Sequence, residues 1–113
     1  MTAEEIEATN SEYAKLLAGA CGWQEARPLS LDVIAEAEGC LLKSEYHRGS
    51  YLGWLMFVTR GWIGVVSFTT HSCLKVIRAT ARERAQALLV MEGKLIYEWK
   101  DDQAYFRPYL RPL

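Results

Sequence analysis

The stretch 51-YLGWLMFVTRGWIGVVSFTT-70 decides how this chain is read. It holds two apolar runs of strand length on either side of Thr59-Arg60-Gly61. With a period of two, Leu52, Trp54, Met56 and Val58 share one face of the first run, and Leu55 and Phe57 lie on the other. In the second run Trp62, Val66 and Phe68 share a face opposite Ile63 and Val65. A strand with one wet face alternates apolar and polar residues, so runs that are apolar on both sides must be covered on both sides. The expectation is a central hairpin covered by the chain's own helices, a second copy or a partner.

Working towards the N-terminus, His47-Arg48-Gly49-Ser50 reads as a turn and Cys40–His47 (CLLKSEYH) as a strand. The alternative carries the preceding helix through Gly39 to Lys43, at a cost of about 1 kcal/mol for the interior glycine. That helix is capped by Ser30, runs through Leu31, Ile34, Ala35 and Glu38, and stops near Gly39. Pro28 interrupts the chain ahead of it. A first helix opens on a capping box, Thr2 with Glu5, and carries the stripe Ile6, Tyr13, Leu16, Leu17 and Ala20. It ends within Gly19-Ala20-Cys21-Gly22, and Glu4, Glu7, Ser11 and Glu12 form its wet face.

Working towards the C-terminus, His71-Ser72 turns the chain into a candidate strand over Cys73–Arg78. Thr80 and Glu83 form a second capping box, before a helix with the stripe Ala81, Ala85, Leu88 and Leu89, closed by Gly93. Lys94–Trp99 alternates as a last strand, and residues 104–113 form an extended tail rich in aromatics, Arg and Pro. The predicted fold is therefore α+β: an antiparallel sheet of four to five strands with two N-terminal helices and one later helix packed on it, in the order α-α-β-β-β-(β)-α-β.

At 113 residues the chain reads as one domain, large enough to bury a core without metal or disulfide staples. Its formal net charge of −1 builds in no long-range attraction to nucleic acid or anionic membrane. Cys21, Cys40 and Cys73 match no zinc or redox spacing and read as small buried hydrophobes in a reducing cytoplasm. No apolar run reaches the ~18 residues of a membrane span, and the acidic start has no signal core. The expected location is cytoplasmic.

The best catalytic pair is His71 with Cys73, which would share one face of a strand and could activate the thiol. It lacks an orienting group and a nucleophile elbow, so the chain leans towards a non-enzyme. His47, His71, Cys73 and Glu45 could gather round a metal only without a preorganising spacing, so no metal and no cofactor are expected. Glu36, Glu38 and Glu45 read as solvated carboxylates. A phosphate site could form from Lys75, Arg78, Arg82 and Arg84 around the start of the last helix. The helix, three strands, helix order resembles, in topology only, the double-stranded RNA-binding domain, which would imply phosphate contacts at that helix start. The matching stretch, Ala79 to Arg84, departs from that pattern with one acid and no lysine.

The expected binding surface is aromatic: Tyr51, Trp54 and Trp62 of the hairpin with Tyr105, Phe106, Arg107, Tyr109 and Arg111 of the tail. The tail either folds back over the sheet or is exchanged between subunits. The functional expectation is a small non-enzymatic binding protein of accessory, inhibitor or immunity type from a phage or mobile element, engaging a protein partner or itself as a homodimer. A small-ligand binder or small enzyme with a pocket lined by Tyr51, Trp54, Trp62 and His71 is the second reading, and a nucleic-acid module through Lys75, Arg78, Arg82 and Arg84 the third.

Overall fold

The computed structural model describes residues 2–60, 76–100 and 103–108. Among them the order is α1 (Ala3–Cys21), α2 (Leu31–Leu41), α3 (Glu45–Arg60), α4 (Ala81–Met91), β1 (Leu95–Lys100) and β2 (Gln103–Pro108). The helix starts follow the local chemistry of the sequence. Thr2 and Thr80 both close full capping boxes, with Glu5 and Glu83, and Ser30 accepts from the Val33 amide at 3.2 Å. Gly22 stops α1 in the left-handed region at φ 75°. Gly93, at φ 72°, turns the chain after α4, where the Lys94 amide reaches back to the Leu89 carbonyl at 2.8 Å.

The expected sheet of four to five strands is not what forms. The described residues make a helical bundle with one two-stranded antiparallel hairpin, β1 with β2, in the register Leu95↔Pro108 to Lys100↔Gln103. Tyr51–Val58, expected as a central strand, is the second half of α3. A helix is as good a reading of a two-sided greasy run as a covered strand, provided most of its sides are covered. Leu55, Met56 and Phe57 point to three different sides of α3 and all are buried, while Leu52 and Gly53 stay exposed. Cys40–His47 is not a strand either. The helix α2 runs through Gly39 to Leu41, and Ser44 starts α3 by accepting from the His47 amide at 3.2 Å. Of the candidate strand Cys73–Arg78, the described part, 76–78, is a helical turn. The second hairpin run, 62–68, lies outside the described residues. Lys94–Trp99 holds as a strand, one residue shifted.

α4 is the axis of the fold. Every residue from Ala81 to Met91 is buried or half-buried, and Ala85, Ala87, Leu88 and Leu89 are wholly covered. It packs most extensively on α3, then on α1, α2 and β1. Tyr13 and Leu17 of α1, Ile34, Ala37 and Leu41 of α2, and Tyr51 and Leu55 of α3 complete this core. The connection 22–30 runs back along α1, since Ala26 to Leu29 face Glu7 to Ala14 across a shallow groove of about 430 Å³. α2 consequently starts beside the middle of α1 and ends beside its C-terminus, bringing Cys40 to Cys21. Arg27 locks the return: it stacks on Trp23, 4.4 Å from the ring centroid, and forms a forked ion pair with Glu36 that holds this carboxyl below its usual range.

Candidate functional site

The outer face of α3 is the first candidate. Tyr46 is 80% exposed and Leu52 38% exposed. Between and beyond them Gly49 and Gly53 lie one helical turn apart, and a Cβ built on either would meet nothing within 4 Å. Tyr46 and Gly53 are seven residues apart and share one side of the helix. The face is thus a bare strip of backbone with an aromatic ring at one end.

The second candidate is a cleft of about 400 Å³ at the adjoining ends of α1 and α2, lined by Cys21, Cys40, Lys43, His47 and Glu92 among others. Both thiols are free and half-exposed, not buried as expected. They lie within side-chain interaction range of each other. Burial first, then the neighbouring Cys40 and the charge of Glu92, push the Cys21 thiol up to about 11. His47 Nδ1 is engaged with Ser44 Oγ at 2.8 Å. Among the described residues, no three His, Cys, Asp or Glu side chains are placed to hold a metal ion.

A third polar cluster lies inside. Tyr51 is only 6% exposed, and its hydroxyl is buried without a hydrogen-bond partner. Glu38 and Arg84 are near enough to act on it electrostatically, but neither meets the hydroxyl in hydrogen-bond geometry. Burial foremost, with Glu38 adding to it, raises the phenol well above its ordinary range.

The residues singled out from the sequence are scattered. Tyr51 is core, and half-buried Trp54 stands edge-on to Phe57 at 5.7 Å. Tyr105, Phe106 and Arg107 lie on β2, paired with Glu98, Tyr97 and Ile96 of the same chain, so this part of the tail folds back. Arg82 donates to Asn10 Oδ1 at 2.6 Å and sits over the Tyr13 ring at 5.0 Å. Arg84 donates through Nε to the Ala79 carbonyl at 3.0 Å and through Nη2 to the Ile77 carbonyl at 3.2 Å. Arg78 is exposed. Trp62, His71, Cys73, Lys75, Tyr109 and Arg111 lie outside the described residues.

The chain matches no known protein family, and no curated protein or solved structure matches it.

No described helix is long and apolar enough to cross a membrane. The pairing of Cys21 with Cys40 had no signal in their spacing, because the return of the 22–30 segment creates it. The exposed strip of α3 could have been found at helical spacing: Tyr51, Trp54, Leu55 and Val58 form the inward stripe, which leaves Tyr46, Gly49 and Gly53 facing out.

Proposed function

We propose that this chain is a small non-enzymatic binding module of the cytoplasm that associates with a second copy of itself through the outer face of α3. The observation that carries the reading is Tyr46, exposed beside the bare backbone at Gly49 and Gly53. A glycine inside an exposed helix costs about 0.5–1 kcal/mol relative to alanine, and it allows another helix to approach closely. Two antiparallel copies of α3 crossing near Gly49 would seat each Tyr46 over the other's Gly53, where no side chain stands in the way. The arrangement is self-complementary, as a two-fold interface requires. The dimer would in turn offer its aromatic surface to a further protein, in the manner of an accessory or inhibitory factor.

Sedimentation of the intact protein against Gly53→Leu tests this. The added side chain enters open space in the protomer and favours helix. The intact protein should sediment at twice the 12.9 kDa chain mass, and the variant at the chain mass with its melting temperature kept. An intact protein that stays at the chain mass at high concentration, or a variant that keeps the doubled mass, overturns the reading.

A further inference from the structure

We propose that Cys21 and Cys40 form a reversible dithiol–disulfide couple that ties the end of α1 to the end of α2. The two thiols are the final residue of α1 and the penultimate residue of α2, and they line the same cleft where these helix ends adjoin. Both are half-exposed, so a small-molecule oxidant reaches them from solvent. The helices that carry them are held in place by the Arg27–Glu36 pair and by the shared core, so the thiols meet without a search.

The chemistry is thiol–disulfide exchange with a low-molecular-weight disulfide such as oxidised glutathione. The Cys40 sulfur, as thiolate, attacks one sulfur of the oxidant, and the first glutathione leaves with the electron pair of the broken S–S bond. The Cys21 sulfur then gives up its proton and attacks the Cys40 sulfur of the mixed disulfide. That closes the internal bond and expels the second glutathione. The two cysteines together lose two electrons and two protons, and the oxidant leaves as two thiols. The order of attack follows from the surroundings of Cys21. Burial and the charge of Glu92 hold the Cys21 proton in place, which suits this thiol to the resolving step. Lys43, His47 and Glu92 line the same cleft, within which the second proton is released.

The test is oxidation of the native chain with oxidised glutathione, followed by non-reducing peptide mapping and mass measurement. The expected product is a monomeric chain lighter by two hydrogen atoms, with the Cys21 and Cys40 peptides joined, and restored by dithiothreitol. Its melting temperature should rise by on the order of 10 °C, since the bond closes a short loop in the unfolded chain. Cys21→Ser should stop at the glutathione adduct on Cys40, whereas Cys40→Ser should react much more slowly at Cys21. Linkage to Cys73, linkage between chains, or two thiols that remain free and alkylatable after oxidation would each overturn the proposal.

Discussion

Arg82 Nη1 donates to Asn10 Oδ1 at 2.6 Å, joining α4 to α1 across 72 positions of sequence. The same guanidinium covers the Tyr13 ring, and Gln86 donates to the Tyr13 hydroxyl at 3.2 Å one turn later. This cation was expected among candidates for phosphate contact, and in the folded chain its Nη1 and its guanidinium face are engaged internally. Replacing Arg82 by Ala should cost about 1.5–3 kcal/mol, because a charged hydrogen bond and the packing of a cation on an aromatic ring disappear together. Chemical denaturation of the two proteins reads the difference, and Arg82→Lys should recover part of it.

Tyr51 carries the opposite kind of contribution. Its hydroxyl is buried with no partner, which costs about 1–3 kcal/mol where it occurs. Tyr51→Phe should therefore be neutral or stabilising by about 1 kcal/mol. The pH dependence follows from the raised phenol. A folded-state pKa above the unfolded value of 10.0 means that the native state holds the proton more tightly. Its contribution is complete below pH 10.0 and is lost as pH climbs towards the folded value. Thermal melts between neutral pH and pH 11 should show an alkaline decline that is shallower in Tyr51→Phe.

Glycines divide by conformation. Gly39 lies inside α2, and a Cβ there meets open space, so Gly39→Ala should stabilise by about 0.5–1 kcal/mol. Gly22 holds φ at 75° as the left-handed cap of α1, where Gly22→Ala should destabilise by about 1–2 kcal/mol. Melting temperatures moving in opposite directions would establish both assignments.

Deleting the chain from Gln103 removes the strand that pairs with β1 along its whole length. β1 is anchored below by Leu95 in the core and by Tyr97, edge-on to Phe57 at 4.7 Å, but its outer edge would be left without partners. The shortened protein should melt several degrees lower and aggregate on heating. Light scattering during a thermal ramp measures both, and an unchanged melting curve would mean that β2 contributes nothing to stability.

Helix boundaries were legible where a side chain does the capping. Thr2–Glu5, Ser30 and Thr80–Glu83 each announced a start, and Gly22 and Gly93 each a stop, because these signals act over three or four residues. α3 was not legible by the same means. Its interior holds Gly49 and Gly53, and His47-Arg48-Gly49-Ser50 has the composition of a turn. Its second half is apolar in every direction, which removes the contrast on which periodicity depends. Length was the better guide, since sixteen residues from Glu45 to Arg60 suit a helix and exceed the usual strand. Of the residues expected on the aromatic surface, Tyr51 is buried, while Tyr46, which was not expected there, is the exposed ring of α3. That depends on which side of α3 meets α4. The meeting of Cys21 with Cys40 depends on the direction of α2, which local sequence does not encode.

The central position of α4 also bears on how the protein is made. The three helices described before it emerge from the ribosome with their inner faces directed at a segment not yet synthesised. Leu17, Ile34 and Leu55 remain without their main partner until Leu88 and Leu89 have left the exit tunnel. A nascent chain halted before residue 80 would therefore be a natural client for a chaperone, and the bundle would lock together only once α4 has emerged.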